Sequence, residues 1–117
     1  GKIFQMLNNG GQLNGKRYLK TATVAFFAAA QKGTYRGLGF DKPNGQIGAK
    51  ANVSAKVPVT LFGHSGFTGN WAWADPGNKL VFIFLSNRTY PDENNKKLIQ
   101  ENVRTKAIEI VYSALKP

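Results

Sequence analysis

Hydrophobic and polar positions change period several times along this chain, and each change predicts an element. Ile3, Phe4, Met6 and Leu7 suit one helical face over residues 2 to 9, and Gly10-Gly11 supplies a C-terminal stop. Asn14-Gly15 is a turn signal. Thr21 is placed to cap a second short helix, Ala22 to Ala30, whose alanines, with Phe26 and Phe27, suit burial against a neighbour. Gly33, Gly37, Gly39, Gly45 and Gly48 with Pro43 then predict turns and short strands, Leu38-Gly39-Phe40 among the latter.

From Lys56 the pattern becomes strand-like. Val57, Val59 and Leu61 alternate with small or polar residues before Gly63-His64-Ser65-Gly66 interrupts. Phe67 to Ala74 is a second extended run, with Phe67, Gly69, Trp71 and Trp73 on one side by the period of two. Asp75-Pro76-Gly77-Asn78 is a turn, and Lys79 to Ser86 is apolar on both faces, the signature of a central strand covered on both sides. Trp71 to Ala74 and Leu80 to Leu85 therefore form an antiparallel hairpin. Pro91-Asp92 opens a last helix capped by Asp92 or Asn94, with Ile99, Val103, Ala107, Ile110 or Val111, and Ala114 as its inward stripe.

The predicted class is α+β: an antiparallel sheet flanked by helices, with a long C-terminal helix across it. The organisation reads as a single unit: 1–31 helical, 32–57 a Gly-rich loop with short strands, 58–88 the sheet, and 89–117 the terminal helix. At 117 residues with 42% hydrophobic content the chain is long enough for one domain or part of one, and apolar enough to bury a core. It has no cysteine, which excludes disulfides and thiolate metal sites. No apolar run approaches the ~20 residues of a membrane helix, and the N-terminal residues lack the apolar stretch of a signal peptide. The formal charge of +10 is unusual, but the 16 Lys and Arg are scattered, with only Lys16-Arg17 and Lys96-Lys97 adjacent. Without an accompanying nucleic-acid motif, the expectation is a basic surface and no nucleic-acid partner.

Chemistry concentrates in Phe62-Gly63-His64-Ser65-Gly66-Phe67-Thr68-Gly69. Three glycines in seven residues allow very close backbone approach, for which a ligand is one candidate and a neighbouring strand another. A lone histidine here also fits a structural hydrogen-bonding residue beside a tight turn. One histidine and six carboxylates without ligand spacing give no metal site, and the glycine-rich stretches lack the Gly-Lys-Ser/Thr ending of a phosphate loop. No cofactor is expected. Trp71 and Trp73 suggest a carbohydrate platform, but their shared face beside a core strand favours burial.

The segment 63–69, together with Trp73-Ala74-Asp75-Pro76 and Phe84-Leu85-Ser86-Asn87-Arg88, resembles the end of the β-lactamase-related serine hydrolases, a group with class C β-lactamases, penicillin-binding proteins and esterases. Met6 to Gly11, Gly37-Leu38-Gly39-Phe40 and the helix after Tyr90-Pro91 are similar to family segments in the same order, most closely in the hydrolase module behind family 3 glycosidases. The resemblance implies a partial β-lactamase/transpeptidase-like fold, with residues 1–31 at the edge of a missing α lobe. It implies that His64-Ser65-Gly66 takes the place of Lys-Thr-Gly or His-Thr-Gly as a catalytic wall. Ser65 would meet the substrate carboxylate or the proton relay, Gly66 would let the strand approach, and the Phe67 N–H would serve an oxyanion hole. Asn87 would lie near the substrate carboxylate, though it also fits a residue that simply ends a strand. His64 departs from the lysine form: imidazole, with a reference pKa of about 6.5, is largely neutral at pH 7, which counts against efficient β-lactam hydrolysis.

The family's nucleophile lies in Ser-x-x-Lys, with Tyr-x-Asn on a separate lobe. Ser113-Ala114-Leu115-Lys116 matches literally, but in the last turn of the chain, where nothing follows to enclose it, and no tyrosine is followed two residues later by asparagine. The expectation is a hydrolase piece without a nucleophile, acting with the missing lobe on a small-molecule or cell-wall peptide substrate, in a parent outside the cytoplasm (periplasmic or extracellular). A non-catalytic cell-wall or anionic-polymer binding module is the alternative. Apolar strand edges left by a missing lobe would favour self-association.

Overall fold

The computed structural model describes residues 1–47 and 51–115; Gly48 of the glycine-rich stretch and Lys116 of the Ser-x-x-Lys match lie outside the described residues. Two helices and a small hairpin come first. Helix α1 (Lys2–Asn8) ends where the Gly11 N–H reaches back to the Met6 carbonyl, as its glycines predict. Strands β1 (Gln12–Leu13) and β2 (Lys16–Arg17) pair antiparallel around Asn14-Gly15, both in the left-handed region (φ 49° and 79°) that a two-residue hairpin turn demands. Helix α2 (Thr21–Ala28) starts without a side-chain cap: Lys20 holds the N-cap position, and the Thr21 hydroxyl instead donates to the Gly10 carbonyl. Its inward residues are Val24 and Ala28, whereas Phe26 and Phe27 remain exposed, against the expectation of their burial.

The main sheet has the order β3–β4–β5, from Phe62–Ser65, Trp71–Asp75 and Leu80–Phe84, antiparallel throughout. The predicted hairpin is present in the register Trp71↔Phe84 and Trp73↔Phe82. Its places are exchanged, however. The central strand is β4; the all-apolar β5 pairs with β4 alone, and its residues are half-buried with Ile83 exposed, so it is not covered on both sides as its pattern predicts. Two predicted strands, and the first half of the run predicted from Phe67 to Ala74, dissolve into turns for local reasons. Residues 56–61 turn because the Val57 and Leu61 N–H groups bond back to Ser54 and Pro58, leaving Val59 in solvent. Phe67–Asn70 is a tight loop closed by Gly66 N–H to Asn70 O, with Gly69 at φ 98°. Leu38-Gly39-Phe40 bends at Gly39 (φ 81°), and the bridges fall on Arg36–Asp41 and Asp41–Gly63 instead. Conversely, the predicted interruption at Gly63-His64-Ser65 is itself strand β3.

Strand alternation sorts the core into two layers. On one face Trp71 and Trp73 join Leu61, Val53 and Val57 under Ile108 and Tyr112, with Leu80, Phe82 and Phe84 alongside. On the other, Ala74 and Phe62 meet Ala28 of α2, with Phe4, Leu7 and Phe40 around them. Trp71 and Trp73 are thus core residues and no carbohydrate platform.

The terminal segment is two helices, not one. Asp92 and Asn95 each accept a hydrogen bond from the N–H two residues on, which holds 92–97 in turns before α3 (Lys97–Gln100). Asn102, left-handed at φ 52°, separates α3 from α4 (Val103–Leu115). The inward stripe of α4 is Ile108 and Tyr112, one turn apart, and Ile110 faces solvent. Two anchors hold it down. The Glu109 carboxylate accepts from Ser54 Oγ at 2.6 Å and Lys56 Nζ at 3.1 Å, and those bonds lower its pKa. The Tyr112 hydroxyl donates to Asp75 Oδ2 at 2.5 Å inside the core.

Burial and the neighbouring Asp75 raise the Tyr112 pKa. A group whose folded pKa is raised gives stability that is complete below its unfolded pKa, about 10 for tyrosine, and lost as pH rises beyond it. Tyr112→Phe is expected to cost about 1–3 kcal/mol by urea unfolding at neutral pH, because the buried Asp75 side chain loses a donor. Its penalty shrinks above about pH 10. For the open apolar edge of β5, Leu85→Lys is expected to reduce self-association in light scattering; a native chain that stays monomeric at high concentration would refute the edge as an association site.

Candidate functional site

The glycine-rich segment resolves into three glycines with three different duties. A Cβ at Gly63 would collide with the Ala72 carbonyl oxygen and the Trp73 indole, so this glycine exists for the neighbouring strand. Gly69 is fixed by its positive φ and by Leu98 and Ser86 crowding the place of its missing side chain. Gly66 differs from both. Its nearest neighbours would be Asn70 Cβ at 3.6 Å and Asn70 O at 3.8 Å, ordinary contact distances. Nothing in the described fold requires glycine there, and the space in front of it is open.

The edge of β3 carries the same message. Gly63 exchanges both backbone hydrogen bonds with Asp41, which occupies the outer edge at that point. Asp41 is held in turn by Arg36, 2.6 Å away. Because a strand directs alternate residues to alternate edges, Ser65 also turns its backbone groups outward, beyond the reach of the Asp41 strap. The Phe67 N–H has no acceptor among the described residues. His64, Ser65, Gly66 and Phe67 are all exposed, Phe67 at 74%.

His64 Nδ1 lies 2.9 Å from the Ser65 carbonyl oxygen, which can only accept, so Nδ1 is the donor in this contact. The register sets His64 opposite Ala72 and Ser65 opposite Trp71, hence on opposite faces of the sheet. Asn87 lies past the end of β5, two strands from β3, and its carboxamide oxygen accepts from the Thr89 hydroxyl. Its neighbours Ser86 and Arg88 donate their N–H groups to Asn70 Oδ1 and Thr68 O, which brings this corner against the 66–70 loop. His64 to Phe67 are therefore contiguous, and Asn87 belongs to the loop's far side.

Two arginines were given no role by the sequence reading. Arg88 stacks on Phe67 with 4.8 Å to the ring centroid, and Arg104 on Trp71 with 4.5 Å. Arg104 also donates to the Gly69 carbonyl at 3.2 Å. Burial and then the charge of Arg88 lower the Arg104 pKa. Their proximity to the loop depends on the β4–β5 pairing and the α3–α4 break, so no local pattern marks them. Ser113 is exposed near the end of α4, its hydroxyl donating to the Glu109 carbonyl as helix serines do. No group of three or more His, Cys, Asp or Glu able to hold a metal occurs among the described residues.

An α+β chain with an exposed, glycine-flanked strand end matches one known family. Residues 3–105 match the family described as Beta-lactamase, and the chain belongs to that family. Proteins described as "Putative D-alanyl-D-alanine carboxypeptidase" from Salmonella typhi, Salmonella paratyphi B and Salmonella newport are each 28% identical over 93 residues, 80% of this chain. The matched segment is 21% of each relative, so the chain spans about a fifth of the proteins it matches.

The glycine geometry predicts a contrast. Gly63→Ala is expected to destabilise the fold by about 1–3 kcal/mol through overpacking against β4. Gly66→Ala should stay within about 0.5 kcal/mol of native, as at an open surface position. Chemical denaturation of the two variants checks both, and equal penalties would show Gly66 to be as structural as Gly63.

Proposed function

We propose that this chain is the C-terminal part of a β-lactamase-like serine hydrolase, providing one wall of a site that cleaves an ester, amide or β-lactam through an acyl-enzyme on a serine outside it. The observation that carries this reading is the open Gly66 beside a strand edge that Asp41 blocks only as far as Gly63. In this reading the Ser65 hydroxyl contacts the substrate carboxylate or passes a proton. The Phe67 N–H stabilises the developing oxyanion, a contact whose loss costs about 3–4 kcal/mol in other enzymes. His64 stands on the same wall with its Nδ1 turned to the Ser65 carbonyl, and Asn87 borders the substrate's acidic end. Residues 1–31 are the margin of the catalytic lobe, and the parent works outside the cytoplasm. The relatives' name makes a cell-wall peptide ending in D-alanine the first substrate to try.

The formal charge of +10 favours one other reading, a non-catalytic module that holds an anionic cell-wall polymer. Such binding would weaken steeply with salt. No helix among the described residues is long and apolar enough to cross a membrane.

The proposal predicts that the 117-residue chain alone turns over neither nitrocefin nor p-nitrophenyl esters. Turnover abolished by Ser113→Ala would assign the nucleophile to this chain and overturn the proposal. Salt-sensitive binding to teichoic acid, with no Ser-x-x-Lys encoded upstream of Gly1, would favour the binding module.

A further inference from the structure

Lys42 is a buried cation without an anion. Its residue is 9% exposed, yet the ion pairs among the described residues are Arg36–Asp41 and Lys56–Glu109. Its neighbour Asp41 is committed to Arg36. Lys42 Nζ donates to the Thr60 carbonyl at 3.0 Å and stands 6.0 Å from the centroid of the Phe62 ring. No protein acceptor is found for its other two N–H bonds among the described residues. Lysine is almost never buried without a partner, because losing hydration is costly unless another charge or a set of acceptors replaces it. The same desolvation lowers the Lys42 pKa.

The ammonium lines a cavity of about 520 Å³ between α1, α2 and the start of β3. Leu7, Val24, Ala28 and Phe62 make its walls mainly apolar. Asn8 and Thr60 are polar residues at its margin. Volume, apolar walls and a few convergent polar groups are the usual attributes of a small-ligand site. The cavity meets β3 at its first residue, Phe62, whereas the open strand edge lies at its last, Ser65, so the two places are distinct.

We propose that this cavity binds a small organic carboxylate, its anionic head on Lys42 Nζ and its aliphatic tail along Val24, Ala28 and Leu7. Charge complementarity selects the head: a neutral apolar molecule fills the walls and leaves the ammonium unpaired. An inorganic anion does the reverse.

Isothermal titration of the chain with octanoate, 1-octanol and inorganic phosphate separates these contributions. Octanoate is expected to bind at least about tenfold more tightly than octanol, the increment of one charge-assisted hydrogen bond. Phosphate should give no measurable binding. Lys42→Met should bring octanoate down to the level of octanol and leave octanol unchanged, and Ala25→Phe, which intrudes on the cavity from α2, should weaken both. Should Lys42→Met fail to fold by circular dichroism, the octanoate–octanol difference on the native chain decides alone. No binding of octanoate, equal binding of octanoate and octanol, or octanoate binding that survives in folded Lys42→Met would each overturn the proposal.

Discussion

The structure depends on one buried carboxylate. Asp75 is fully enclosed, at 0% exposure, and is satisfied by four donors: the N–H groups of Gly77 and Asn78, the Asn78 carboxamide and the Tyr112 hydroxyl. Burying a charge is costly unless hydrogen bonds replace its water, so these four groups must be in place together. Three of them close the β4–β5 turn, and the fourth pins α4 across the sheet. Turn geometry, hairpin register and helix docking are thereby coupled through a single side chain. With α4 fixed, Glu109 can reach Ser54 and Lys56 and hold the 53–57 segment over the tryptophan layer. The same docking carries Arg104 to Trp71 and Gly69.

What was legible in the sequence was what short-range pattern controls. The Asn14-Gly15 turn, the stop at Gly10-Gly11 and the Trp71–Leu85 hairpin follow from backbone preference and period, and all three are present. The burial of Trp71 and Trp73 followed from their shared face. Elements settled by distant partners were not legible. Val57 and Leu61 alternate as a strand would, but serve the core from turns. Thr21 looks like a cap and instead bonds to Gly10 from the start of α2. Asn102 breaks a continuous helical pattern with one left-handed residue, and the inward stripe moves to Ile108 and Tyr112 because Asp75 needs the tyrosine.

The candidate site divides along the same line. The family resemblance singled out the glycine-rich segment, and the match over residues 3–105 bears out the family. Sequence alone could not separate the duties of the three glycines, since Gly63 answers to Ala72 and Trp73, Gly69 to Leu98 and Ser86, and Gly66 to nothing in the chain. Nor could it show that Asp41 straps the strand edge up to Gly63, a long-range pairing with no local signal. A wall built this way is stiff where it meets the core and free where it ends.

The central claim is that these residues furnish a wall and no nucleophile. Its most direct test is to treat the purified chain with a fluorophosphonate, which labels activated serines, and to map adducts by mass spectrometry. The account predicts that Ser54, Ser65, Ser86 and Ser113 all remain unmodified. Stoichiometric labelling of any one of them would contradict it.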